Sequence, residues 1–315
     1  DDLAGVMSKD GAGKSVAFAG DFNNDGYGDY VIGIPGFDVS TKIKDAGRAE
    51  VISGKDGTVL ASTNGTAAKD ALGTAVAGNG DIDNDGYDDV VIGAPKAGAT
   101  HAGGITILYG PNGARTQTIS GAVAKSAFGS ALALGDVNGD SRADILVGAP
   151  KEASASGLKQ AGSVSIYAGT SLSRFNTVFY GATANAHAGT SIATGKLNND
   201  GIAIVIGAPN DSVGLVKNSG SVTAYLLANP STAIFTQSGA KGSQFGKAVA
   251  VGDVNNDSYD DVLVGAPLDD DLDNKRKDTG SISVFSGING TELTPKKYGA
   301  NAKAQLGYSV ALGDV

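Results

Sequence analysis

The segment Asp81-Ile82-Asp83-Asn84-Asp85-Gly86-Tyr87-Asp88-Asp89-Val90-Val91-Ile92-Gly93-Ala94-Pro95 reads as an acidic loop running straight into a short apolar strand that closes on Gly-x-Pro. The closing tripeptide returns as Gly33-Ile34-Pro35, Gly148-Ala149-Pro150, Gly207-Ala208-Pro209 and Gly265-Ala266-Pro267. Upstream of each acidic loop stands a small, apolar or aromatic residue followed by glycine: Ala12-Gly13, Leu72-Gly73, Phe128-Gly129, Ala188-Gly189, Phe245-Gly246 and Leu306-Gly307. A further glycine marks the period at Gly5, Gly65, Gly121, Gly181, Gly239 and Gly299, with spacings of 60, 56, 60, 58 and 60. Self-similarity at a fixed period is the signature of a repeat architecture, in which each unit buries its faces against its neighbours.

Each repeat predicts four strands. In the second they fall at Thr74–Ala77, Asp89–Ile92, Gly104–Tyr109 and Gln117–Ser120, short and β-rich with turn residues between. The third strand recurs as Ala49–Ser53, Ile105–Tyr109, Ser163–Tyr167, Ser221–Tyr225 and Ser281–Phe285, apolar at alternate positions, as a two-faced strand requires. A four-stranded antiparallel meander cannot bury both faces alone, and radial stacking of such sheets does so while leaving only short edges. The expected fold is therefore all-β, a β-propeller of four-stranded antiparallel blades. A β-helix fits less well, because its coils are shorter and carry no meander.

This order of motifs resembles the FG-GAP repeat family, whose best-known members are the integrin α-subunit propellers. The resemblance covers essentially the whole chain, although only Phe128-Gly129 and Phe245-Gly246 keep the literal Phe-Gly. It implies one propeller domain over 1–315, with repeats at about 5–64, 65–120, 121–180, 181–238, 239–298 and a partial 299–315 that stops within its acidic motif at Asp314. Six or seven blades are expected in the complete protein, and the start at Asp1-Asp2-Leu3, with neither Met nor signal sequence, is expected to belong to a longer chain.

Four acidic loops share a nine-residue spacing with oxygen side chains at positions 1, 3, 5 and 9. They are Asp21, Asn23, Asp25 and Asp29; Asp81, Asp83, Asp85 and Asp89; Asp136, Asn138, Asp140 and Asp144; and Asp253, Asn255, Asp257 and Asp261. Calcium takes six to eight oxygens, and alternate residues of a tightly curved loop can aim at one point. Residue 7 (Tyr27, Tyr87, Arg142, Tyr259) would add a backbone carbonyl. Gly26 and Gly86 at position 6 suit a positive φ, whereas Ser141 and Ser258 stand there in the other two loops and should be less relaxed. An EF-hand would need a bidentate Glu at position 12, where these loops are already strand. Magnesium fits less well, since it demands near-octahedral geometry and keeps its waters. Asp and Asn also populate ordinary turns. Three or four carboxylates within nine residues, four times over, favour the cation because the like charges otherwise repel. About four Ca²⁺ per chain would nearly cancel the formal charge of −9.

The fourth repeat departs from the pattern: Lys196-Leu197-Asn198-Asn199-Asp200-Gly201-Ile202-Ala203-Ile204 replaces the first ligand by Lys and loses the last. No calcium is expected there. Either the Lys196 ammonium supplies positive charge near Asp200, or the loop is simply degraded.

Composition narrows the function. There is no Cys and only His101 and His187, so thiolate sites and nucleophilic triads have nothing to build on. A charge of −9 opposes nucleic-acid binding, and no apolar run spans a bilayer. Strand parity puts the acidic hairpins and the strand three-to-four hairpins on one face. The segments 36–47, 96–103, 151–162, 210–220 and 268–280 lie on the other, which carries the ligand site in the integrin relatives. The run Asp269-Asp270-Asp271-Leu272-Asp273-Asn274-Lys275-Arg276-Lys277-Asp278 is the most distinctive of these and is expected to be mainly a solvated loop. The two histidines should be ordinary surface residues of that face. The expected function is a calcium-binding, secreted or cell-surface module that recognises a protein or glycan in adhesion, not an enzyme. The alternatives are a lectin-like carbohydrate-binding propeller, disfavoured by the absence of Trp, and a non-catalytic propeller within a larger secreted polysaccharide-active enzyme.

Overall fold

In a computed structural model, which describes residues 9–313, the chain folds entirely as strands and turns, with no helix among the described residues. Gly5 and Asp314 lie outside the described residues. Five four-stranded antiparallel sheets follow one another along the chain, the blades of a β-propeller. The first blade is β1 (Ser15–Gly20), β2 (Asp29–Ile34), β3 (Arg48–Ile52) and β4 (Val59–Asn64). The second is β5 (Ala75–Ala77), β6 (Val90–Ala94), β7 (Gly104–Leu108) and β8 (Thr116–Ser120), and the third is β9 (Ala131–Gly135), β10 (Asp144–Ala149), β11 (Ser163–Tyr167) and β12 (Arg174–Tyr180). The fourth is β13 (Ser191–Asn198), β14 (Gly201–Ala208), β15 (Ser221–Leu226) and β16 (Ala233–Ser238), and the fifth is β17 (Ala248–Gly252), β18 (Asp261–Ala266), β19 (Ser281–Phe285) and β20 (Glu292–Tyr298). The sequence-based strand bounds of the second repeat agree to within two residues.

Two compact units divide the chain, 1–134 with 141–149 and 166–174, and 135–140 with 150–165 and 175–315. In the first unit the period-2 alternation of β6 works as a double-sided seal. Val90, Ile92 and Ala94 pack with Val31, Val51 and Phe22 of the first blade, while Val91 turns to Ile145, Val147 and Phe128 of the third. In the second unit Val205, Val222 and Ala224 pack on Val262, Val264 and Phe245 of the fifth blade. Side chains such as these contribute about 1.5–3 kcal/mol each when fully buried, so the seams between sheets form the core.

The motif residues explain the close approach of sheets. Gly73 sits at φ +88°, and a Cβ on Gly33 would lie 2.0 Å from its carbonyl oxygen, so the Gly-x-Pro glycine of one blade leaves room for the turn glycine of the next. Phe128 and Phe245, which precede the equivalent glycines, meet Tyr167 and Phe285 edge to face at 6.0 and 5.9 Å. Parallel bridges Gly47–Leu72 and Gly103–Phe128 in the first unit, and Gly162–Ala188, Gly220–Phe245 and Gly280–Leu306 in the second, tie the strand two-to-three connection of one blade to the start of the next.

Candidate metal centre

The acidic hairpins are built by their own first aspartate. Asp21 Oδ1 accepts the Asp25 N–H at 2.9 Å and Oδ2 accepts that of Gly26 at 2.9 Å. Asp81 and Asp253 repeat both bonds to Asp85 and Gly86 and to Asp257 and Ser258. The fifth residue then accepts the N–H of the seventh, Tyr27, Tyr87 or Tyr259, at 3.0, 3.1 and 2.9 Å. Position 6 has a positive φ throughout, +87° and +91° at Gly26 and Gly86 and +66° and +71° at Ser141 and Ser258, so the two serines do adopt the left-handed conformation glycine favours. Position 4 is left-handed too, at Asn24, Asn84, Gly139 and Asn256. The Asn at three of those positions was the available signal, since Asn tolerates that region best after Gly.

The ninth residue has a second task. Asp29, Asp89 and Asp261 are fully buried and accept an N–H from loop residue 2 on one oxygen (Phe22, Ile82, Val254) and from the strand three-to-four turn on the other (Gly54, Gly110, Gly287). These bonds place the two hairpins of a blade at one face, as strand parity requires. Burial pushes the Asp89 carboxyl up to about 7, with Asp83 and Asp81 adding to the rise and the two amide donors opposing it. Asp261 is raised for the same first reason.

In the second blade one carboxylate oxygen each of Asp81, Asp83 and Asp89 lies within 4.8 Å of the others. Asp83 Oδ1 is buried there without a hydrogen-bond partner. Three converging carboxylates, one holding an orphaned buried oxygen, suit a hard divalent cation, so the donor set fits calcium. Asp85 stands beside them, exposed at the loop tip. The Asn side chains at position 3 hydrogen-bond the fifth aspartate instead: Asn23 with Asp25, Asn138 with Asp140 and Asn255 with Asp257. The third loop divides between the two units. Asp136, Asn138 and Asp140 make the same turn bonds in one, while Asp144 accepts the Gly169 N–H and Arg142 Nη1 donates to the Asp83 carbonyl in the other.

Three features were missed from the sequence. Asp88 Oδ2 accepts the Asp21 N–H and Asp260 Oδ2 accepts the Lys196 N–H, so position 8 clasps the preceding blade. The doublets Asp88-Asp89 and Asp260-Asp261 were its visible trace. Arg115, from the turn between β7 and β8, pairs with Asp83.

Three expectations need correction. Lys196 does not compensate Asp200: it is exposed, with its Nζ 5.8 Å from the Tyr259 ring centroid, and the fourth loop is a tight β-hairpin in which Asn198 pairs Gly201. Nor is His187 an ordinary surface residue, being half-buried and hydrogen-bonded to Gln160 and Asn210, whereas His101 is exposed. The 269–278 run is more ordered than a solvated loop. Asp269 and Asp271 are buried, with Asp269 bonded to Ser281 and Lys296 and Asp271 to Arg276 and Asn274.

Repeated four-stranded antiparallel blades, each acidic hairpin held at one end by a buried aspartate, define a propeller of the acidic-loop class. Residues 128–167 and 245–285 match the FG-GAP repeat, and 81–147 the FG-GAP-like repeat. Integrin alpha-3 of Cricetulus griseus is 34% identical over 199 residues, 58% of this chain and 18% of its own length. Integrin alpha-V of Gallus gallus is 34% identical over 236 residues, 69% and 22%. The phosphatidylinositol-glycan-specific phospholipase D of Bos taurus is 32% identical over 173 residues, 49% and 20%. The chain thus spans between 18% and 22% of the length of these three relatives. It is an FG-GAP repeat protein of the integrin-α-like type. No helix among the described residues is long and apolar enough to cross a membrane.

Proposed function

We propose that this chain is a calcium-binding recognition module of the adhesion type, displayed outside the cell, in which four acidic hairpins hold Ca²⁺ and the opposite face meets a protein or glycan ligand. Its 315 residues form a single propeller domain on this reading. The observation that carries it is the convergence of Asp81, Asp83 and Asp89 around a buried, unpartnered carboxylate oxygen. The like construction of the loops at Asp21 and Asp253 extends the reading to them, and the spacing at Asp136 to a fourth. The fourth blade, with Lys196 in the first position and a tight hairpin, holds none. Millimolar calcium outside cells suits exposed loops of modest charge, and the integrin relatives support the adhesion assignment. The chain carries no catalytic role on this reading.

The test is thermal unfolding after exhaustive chelation and again with millimolar Ca²⁺ or Mg²⁺, with metal analysis of the purified protein. Calcium-selective stabilisation with close to four ions per chain supports the reading, since a ligand that binds only the folded state raises its stability. No ion and no shift would reduce the loops to turns. A second reading, a non-catalytic propeller within a larger enzyme, has the phospholipase D relative in its favour.

A further inference from the structure

We infer that Arg115 is a built-in counter-charge that sets the cation affinity of the second blade's loop; the inference rests on reading that loop as a calcium site. Three of the four acidic loops carry Asn at position 3, namely Asn23, Asn138 and Asn255, but the second carries Asp83. At positions 1, 3, 5 and 9 the second loop therefore offers four carboxylates where each of the others offers three. Arg115 removes the difference. Its guanidinium is ion-paired with Asp83 Oδ2, so at the four ligand positions the carboxylate in excess over the other loops is matched by one cation.

The pair is built rather than incidental. The Arg115 guanidinium carbon lies 3.9 Å from the Tyr109 ring centroid, a stacked position that holds the planar group in place. Arg142 Nη1 donates to the Asp83 main-chain carbonyl at 2.6 Å, pinning the same residue through its backbone. The Asp83 side chain is only 16% exposed. One of its oxygens is thus neutralised by Arg115, while Oδ1 is left for a cation. The nearest parallel, Lys55 with Asp25 in the first blade, is looser at 3.8 Å, with the lysine half exposed, and such pairs contribute little.

Calcium affinity in oxygen sites rises with the charge of the ligands, and a guanidinium a few ångströms from a divalent ion opposes binding. Arg115 accordingly weakens this loop to match the others, and its removal should tighten it.

The test is a calcium titration of the 15N-labelled chain, read loop by loop through the amides of Gly26, Gly86 and Ser258, each of which donates to the first aspartate of its loop. In Arg115→Ala the Gly86 midpoint should fall to about one-tenth of its parent value, with Gly26 and Ser258 unmoved. Arg115→Gln, which keeps the aliphatic stem, should do the same, and Asp83→Asn/Arg115→Ala should return the midpoint to near the parent value. An unchanged or weakened Gly86 midpoint in both single variants overturns the assignment and leaves Arg115 as a structural pin. If no amide of the parent chain responds to calcium, the calcium reading itself fails and takes this inference with it, an outcome visible before any variant is made.

Discussion

Asp88 Oδ2 accepts the backbone N–H of Asp21 at 2.8 Å, so the eighth residue of one acidic loop holds the first residue of the loop before it. The same clasp recurs in the second unit, where Asp260 Oδ2 accepts the Lys196 N–H at 2.7 Å and the Asp260 N–H returns to the Lys196 carbonyl at 2.9 Å. A Cβ on Gly20 would lie 2.1 Å from Asp88 Oδ2, so the approach requires the glycine. Because the clasp persists where the fourth blade has lost its acidic loop, it belongs to the scaffold. Asp88→Ala should cost about 1–2 kcal/mol in chelator, and Asp88→Asn, which keeps an acceptor, clearly less. Urea unfolding in EDTA measures both. Equal stability of all three proteins would remove the clasp from the scaffold.

The ninth-position aspartates should separate structural from cation-dependent loss. Asp89→Ala leaves the buried amides of Ile82 and Gly110 without an acceptor, so about 2–4 kcal/mol should disappear even without calcium. Asp25→Ala lies at a more accessible loop position and should change little in chelator, while reducing the stabilisation that added calcium brings. Unfolding each variant with and without calcium distinguishes them. An Asp89→Ala protein as stable as the parent in EDTA would contradict the double-acceptor role.

Ser258 holds φ +71° where two other loops have glycine. Ser258→Gly should therefore stabilise the protein by up to about 1 kcal/mol, relief of left-handed strain outweighing the greater chain entropy of glycine. Thermal unfolding would show a raised midpoint. A lowered one would mean that the entropy cost dominates.

Burial holds the His187 imidazole below the ordinary histidine value, and Lys151 and Lys247 push it the same way. Above about pH 6.5 the residue is neutral in both folded and unfolded chains, and its contribution is constant. As pH falls below that value, the unfolded chain takes up a proton that the folded one resists, and stability is lost until the folded pKa is passed. His187→Gln should flatten this loss. An NMR titration of the His187 ring should give a midpoint below 6.5, and a midpoint above it would reverse the prediction.

The position and curvature of the acidic loops were legible in the chain. The nine-residue spacing marks Asp21, Asp81 and Asp253 as the first ligands of tightly curved loops; the structure shows the curved loops, and in them each of these aspartates accepts the amides four and five residues on, a structural role the spacing did not indicate. Position 6 was read correctly because positive φ has a residue signature. Position 4 carries the same signature in Asn24, Asn84 and Asn256. Arg115 had no local signature, being 32 residues from Asp83.

Local pattern specifies the blade: strand periodicity, turn chemistry and acidic spacing are short-range constraints, satisfied within about sixty residues and written once per repeat. How blades meet, and how the two hairpins of one blade meet, follows from the packing of the sheets. The Asp88 clasp, the Gly33–Gly73 approach and the Asp83–Arg115 pair join residues separated by 67, 40 and 32 positions. Their geometry depends on sheet packing and hairpin curvature, which no local pattern specifies. The fourth blade shows the same division, since the Lys196 substitution was plain to read, but its exposed course beside Tyr259 was set by the neighbouring blade.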